Sequence, residues 1–158
     1  MSVKMAYSGI YVVKNPSKYR GDHTKVVFRS SWERLFNEWA DSNPDVVRWS
    51  SEEFFVPYIS PVDDRQHRYF VDYEVTFANG QTFLIEIKPA HQTRKPVMKK
   101  GKKQAALLEE TKTYAVNFAK WKAAEEYAKK RGMTFVVFTE DTLRQLGIKI
   151  PGGVKGKR

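Results

Sequence analysis

The chain has no cysteine. That excludes a disulfide framework, a thiolate zinc site and a cysteine nucleophile, and it fits a reducing compartment. No apolar run approaches the ~20 residues needed to span a bilayer, and residues 1–10 lack the long apolar core of a secretion signal. These absences predict a protein with no membrane partner that works inside a cell. Acids are scarce relative to bases: 18 Asp and Glu stand against 28 Lys and Arg, for a net charge of +10. Such an excess draws polyanions, of which nucleic acid is the commonest. Internal repeats and domain-scale linkers are also missing. The 158 residues, 41% of them hydrophobic and 14% aromatic, suit one domain with a core of its own.

The apolar spacing that is present predicts an order of elements. Residues 1–28 read as an irregular arm or a short strand, with turn residues Asn15, Pro16 and Gly21. Ser30 or Ser31 caps a helix whose Trp32, Leu35, Phe36 and Trp39 recur at helical spacing. Asn43-Pro44 stops it near Asp41. The stretch Val46-Val47-Arg48-Trp49 leads into a first strand over 53–58, a second runs over 67–77, and a third over 81–88. Asn79-Gly80 marks a two-residue hairpin turn between the second and third. A long helix over 103–131 stops at Gly132, a buried strand covers 134–139, and a short helix covers 140–146. The expected fold is α/β, a central mixed sheet of about four strands flanked by helices in α-β-β-β-α-β order, with its last strand parallel through the long-helix crossover. The domain would span 29–148, preceded by the arm at 1–28 and followed by a flexible basic tail at 149–158.

The chemistry concentrates in Arg68-Tyr69-Phe70-Val71-Asp72 and Leu84-Ile85-Glu86-Ile87-Lys88. Asp72 and Glu86 lie about equally far from the predicted turn, so the hairpin sets them side by side. Glu86 and Lys88 are two apart and share a strand face. Two close carboxylates repel unless a cation intervenes. A hard ion such as Mg²⁺ prefers these oxygen ligands, and Lys88 could stabilise charge on a phosphorane or orient the attacking water. The set suits hydrolysis of a phosphodiester. On these residues alone a solvated cross-strand ion cluster is the commoner outcome, and Glu74 is a solvent-facing alternative on the Asp72 side of its strand. Glu33, by itself, is explained by its favourable place at a helix N-terminus.

Further motifs carry a resemblance. Phe28-Arg29-Ser30-Ser31-Trp32-Glu33, Asn43-Pro44-Asp45-Val46-Val47-Arg48-Trp49, Tyr69-Phe70-Val71-Asp72, Asn79-Gly80 and Leu84-Ile85-Glu86-Ile87-Lys88-Pro89 follow in an order that resembles the TnsA-type transposon endonuclease domain. With the helix Tyr114-Ala115-Val116-Asn117-Phe118-Ala119-Lys120-Trp121, and in size, the chain also resembles the head completion nucleases of T4-like tailed bacteriophages. The resemblance covers residues 28–146. It implies a restriction-endonuclease-like PD-(D/E)xK core and a DNA endonuclease that uses Mg²⁺, with Mn²⁺ able to substitute. It implies metal ligands at Asp72, Glu86 and the backbone carbonyl of Ile87, a catalytic lysine at Lys88, and Glu33 completing the acidic site directly or through water. Val71 stands where the superfamily name has proline, a residue that shapes the strand and does no chemistry. The resemblance further implies work after DNA packaging, in the host cytoplasm or on the virion head or neck, beside portal or neck proteins. Cutting both strands would need a homodimer or a repositioning step. The rival readings are a head or neck DNA-binding protein that keeps the fold without cleaving, and a TnsA-like transposase subunit.

The run after the third strand is rich in bases. Arg94, Lys95, Lys99, Lys100, Lys102 and Lys103 occur with no acid among them, and with Arg29 they are candidates to neutralise DNA phosphates. Gln104, at the start of the long helix, is a candidate contact to DNA or to metal-bound water. The solvated alternative for this run is a disordered loop.

Overall fold

The structure, a computed structural model, describes residues 8–151. The tail was expected to be flexible over 149–158, but Ile150 is buried in the core; the rest beyond Pro151 and the first part of the arm lie outside the described residues. None of the described helices is long and apolar enough to cross a membrane.

A short ladder comes first: β1 (Gly9–Ile10) pairs antiparallel with β2 (Val27–Phe28). Helix α1 (Ser31–Ser42) follows, capped by Ser30, whose Oγ accepts from the Glu33 amide at 3.2 Å. The central sheet holds β3 (Val46–Ser51), β6 (Tyr73–Phe77), β7 (Thr82–Ile87) and β8 (Thr134–Phe138), in that spatial order. The first three are antiparallel neighbours, and β8 joins β7 in parallel across the crossover helix α2 (Gln104–Lys130). This is the mixed four-stranded sheet expected. Gly132, at φ +71°, ends α2 in a conformation that costs other residues more. The short helix α3 (Glu140–Gln145) closes the chain order.

Two expectations need correcting. The stretch 46–51 is a full strand of the central sheet, and what was expected as the first strand is β4 (Phe55–Ile59) of a separate two-stranded sheet. Its partner β5 (Gln66–Phe70) is the first half of what was expected as one strand over 67–77. The chain leaves one sheet at Val71-Asp72 and enters the other at Tyr73. Hydrophobic content is continuous through this switch, so periodicity cannot reveal it.

The central sheet separates two apolar clusters. On one face Tyr73, Val75 and Ile85 pack with Phe36 and Ala40 of α1, Leu143 of α3, and Tyr11, Val13, Tyr19 and Val26 from the segment around the β1–β2 ladder. On the other, Leu84 packs with Val56, Tyr69 and Val71 and with Ala124 and Ala128 of α2. The N-terminal third of α2 has no such partner, and Leu108 and Phe118 remain exposed. The four tryptophans belong to the core: Trp49 is buried, and Trp32, Trp39 and Trp121 are packed against the two clusters.

Candidate active site

The turn between β6 and β7 decides which side chains meet. Phe77 N donates to Gln81 O at 2.9 Å and Gly80 N to Phe77 O at 2.9 Å, with Gly80 at φ +91°. This is a three-residue loop, 78–80, and not the two-residue turn the sequence suggests. The difference is one residue of register, and one residue swaps faces. The observed ladder pairs Tyr73 with Ile85 and Glu74 with Leu84. Carried on by one step, it sets Asp72 across from Glu86. A two-residue loop would have set Asp72 across from Ile87.

Asp72 lies in the break between β5 and β6. Its backbone carbonyl accepts from Glu52 N at 3.1 Å, and its Oδ2 accepts from Ile87 N at 2.8 Å. These bonds fix the half-buried carboxylate between β3 and β7. Glu86 is buried on the α2 face of β7. Its Oε1 accepts from the Tyr69 hydroxyl at 2.5 Å, and its Oε2 lies 3.4 Å from Lys88 Nζ. Lys88 itself is anchored through its amide to Phe138 O at 3.0 Å, and Pro89, which lacks an amide proton, follows.

Glu33 enters from α1. The Tyr73 hydroxyl donates to Asn37 Oδ1 at 2.6 Å and to Glu33 O at 3.3 Å, which docks the first turns of the helix beside Asp72. Glu33 Oε1 accepts from Arg29 N at 2.7 Å. The electrostatics join the acids into one group. Burial, then the Glu86 carboxylate, then those of Glu33 and Glu52, push the Asp72 carboxyl well above its ordinary pKa, against the pull of the Ile87 amide. Burial foremost, then Glu52 and Glu86, raise Glu33, although the Arg29 amide and guanidinium lower it.

Glu52 was missed by the sequence reading. It takes φ +52°, a left-handed conformation uncommon for a residue with a Cβ, and Arg29 holds its carboxylate in an ion pair. Nothing in its neighbourhood, Ser-Ser-Glu-Glu, gave a spacing signal. Only the position where β3 ends beside the β5–β6 break brings it in. Tyr69 was also missed as a polar residue of the site, because alternation alone reads it as an inward-facing core side chain.

The chain matches the TnsA-like endonuclease N-terminal family model over residues 43–140, which takes in Asp72, Glu86 and Lys88. It is also 47% identical over 148 residues to the head completion nuclease of Enterobacteria phage T4, covering 92% of this chain and 99% of that one. The chain belongs to the TnsA-like endonuclease family. Within this TnsA-like fold the break between β5 and β6, the end of β7 and the first turn of α1 converge at one end of the two central strands.

Other candidates fall elsewhere. Glu74 lies apart from the group: it pairs with Arg20 at 3.4 Å and lines a cavity of about 800 Å³ with Arg48 and Arg131. Arg29 sits at the acids, occupied by Glu52, whose pairing foremost raises its pKa. The basic segment folds back over α2, where Arg94, Lys95, Lys99 and Lys102 line a cavity of about 610 Å³ with Tyr114 and Asn117. Lys102 is committed there, bonded to Val97 O at 2.8 Å and Glu110 Oε1 at 2.6 Å. Lys100 and Lys103 are exposed. Gln104 is exposed in the first turn of α2, twelve residues before Val116, a packed residue of the helix; that is roughly 18 Å along the axis.

Do these residues suit a divalent cation? Among the described residues no three acid or imidazole side chains form a ready-made cage. Mg²⁺ does not require one. It is bound through one or two carboxylates and keeps several waters for substrate phosphate. A pair of opposed carboxylates, burdened by two more nearby, fits that ion.

Proposed function

We propose that this protein is a Mg²⁺-dependent DNA endonuclease that hydrolyses phosphodiester bonds to complete a phage head after DNA packaging. The carrying observation is the three-residue loop that opposes Asp72 to Glu86 and leaves Lys88 Nζ 3.4 Å from Glu86. Membership of the TnsA-like endonuclease family supports the reaction class, and likeness to a protein named head completion nuclease supports the setting.

Asp72 and Glu86 would hold the cation, with the Ile87 carbonyl as a further oxygen and Glu33 acting through water. A cation bound there supplies polarisation of a phosphoryl oxygen and acidification of a bound water. The chain's own residues do the rest. Tyr69, Val71 and Leu84, all buried, pack on the Glu86 face of the sheet and would shield that side from bulk solvent. Lys88 has donors beyond its Glu86 contact and presents them to a developing phosphorane charge or to the attacking water. Glu33, whose Oε1 accepts from the Arg29 amide, would face the cation across a bound water. The exposed Arg94, Lys95, Lys99, Lys100 and Lys103 would seat the duplex through its phosphates, without reading sequence.

The test is plasmid nicking. Wild-type protein should relax supercoiled DNA with Mg²⁺ or Mn²⁺ and stop when EDTA is added, while Asp72→Ala should not nick. Wild type as inactive as Asp72→Ala across metals and substrates would instead support a DNA-binding structural protein of the virion.

A further inference from the structure

The buried polar contact closest to the proposed chemistry comes from the other sheet. Tyr69 lies on β5, 4% exposed, and Glu86 lies on β7, 6% exposed. The 2.5 Å bond from the Tyr69 hydroxyl to Glu86 Oε1 therefore stitches the two-stranded sheet to the central one at the carboxylate pair. Lys120 of α2 stands over the Tyr69 ring at 5.6 Å and over the neighbouring Tyr58 ring at 6.0 Å, so the tyrosine is held from behind. Val71, 1% exposed, packs in the same cluster and leads directly into Asp72. Tyr69 and Asp72 are thus carried by one short rigid stretch.

The consequence is geometric. A glutamate has several rotatable bonds and can offer a cation one oxygen or two. Here Oε1 is taken by Tyr69, while Oε2 lies on the Lys88 side.

We propose that Tyr69 is a positioning residue of the cation site, fixing Glu86 in one rotamer so that it presents the single oxygen Oε2 to a divalent ion. This rests on the reading of Asp72 and Glu86 as the cation pair. Partners that orient a ligand in this way commonly matter ~10–100-fold in metal affinity.

Tyr69→Phe keeps the ring beneath Lys120 and removes only the bond. Mn²⁺ binding to the full chain, without DNA, is measured by calorimetric titration, and nicking is followed as Mg²⁺ is raised. The expected result is a dissociation constant for Mn²⁺ ~10–100-fold higher. The Mg²⁺ demand should rise in parallel, with the cleavage rate at saturating Mg²⁺ near that of wild type. Tyr58→Phe, under the same lysine but with no bond to Glu86, should bind Mn²⁺ as wild type does. Should Tyr69→Phe lose stability, the same change is made in a Glu86→Gln background. A positioning role predicts no further loss of Mn²⁺ affinity there, and an equal further loss overturns it. Tyr69→Phe binding Mn²⁺ like wild type overturns the proposal alone. A wild-type chain that takes up no Mn²⁺ overturns the cation reading and this proposal with it.

Discussion

At the C-terminal end of α1, Asp41 is buried, and its carboxylate accepts from the Tyr11 hydroxyl at 2.8 Å, Lys14 N at 2.7 Å and Asn15 N at 3.1 Å. Its own carbonyl accepts from Asn15 Nδ2 and Lys18 Nζ, both at 2.9 Å. At the N-terminal end of the same helix, Glu33 faces Asp72, Glu86 and Glu52. Asp72 has one amide donor and three like charges for company. Both acids are withdrawn from water, but only Asp41 has been given enough donors to make burial favourable. The first ties the N-terminal segment to the core. The second is a local conflict, the kind a protein retains where chemistry needs it.

The largest effect expected on this contrast is catalytic. Lys88→Ala should lower cleavage by ~10³-fold, yet bind DNA almost as wild type in a gel-shift titration with Ca²⁺. Binding reduced in proportion to cleavage would remove Lys88 from the chemistry. Next in size is the other end of the helix. Asp41→Ala strands the buried Tyr11 hydroxyl and the partly buried Lys14 and Asn15 amides and should cost about 2 kcal/mol, read as a lower unfolding midpoint in urea. Its nicking, measured well below that midpoint, should be unchanged. An unaltered midpoint would mean that the two ends of α1 do not differ as described.

The basic segment divides in the same manner. Replacing Arg94, Lys95, Lys99 and Lys100 with alanine should weaken DNA binding and flatten its salt dependence, by about 0.9 in log–log slope for each phosphate no longer neutralised. Lys102→Ala should leave that slope alone, because Lys102 is spent on Glu110 and Val97. Equal slopes for all variants would take the segment out of the DNA interface.

The smallest effect concerns Asp72 in the cation-free protein. Its folded pKa lies above its unfolded one, as does that of Glu33. Their protons favour the fold at low pH, and that contribution is lost as pH rises from the ordinary carboxylate range through the raised values. Asp72→Asn keeps an oxygen for the Ile87 amide and discards the charge. It should stabilise the protein at neutral pH by about 1 kcal/mol and flatten the decline in stability across that window, measured with EDTA present. A variant less stable than wild type at neutral pH would show that the site is not under electrostatic strain.

Sequence reading reached the elements whose cause is local. The Ser30 cap, the Asn43-Pro44 stop and the Gly132 stop each act within a turn, and α1 and α2 appear within a residue or two of the expected limits. It also brought Asp72, Glu86 and Lys88 into one neighbourhood through period-two alternation and a hairpin, although the two-residue turn it expected would have set Asp72 across from Ile87. It could not see that 67–77 divides between two sheets, since apolar residues run through Val71 without interruption. The extra residue in the β6–β7 loop was equally hidden, since Asn-Gly serves both loop lengths. Glu52 and Tyr69 reach the site only by tertiary packing, from a strand end and from the second sheet, so nothing in their immediate sequence marks them.

Diffraction from Mn²⁺-soaked crystals at the manganese absorption edge addresses the cation most directly. An anomalous peak between the Asp72 and Glu86 carboxylates is expected, at oxygen distances of about 2.1–2.3 Å. Manganese bound only elsewhere, with Asp72 and Glu86 turned apart, would contradict the account.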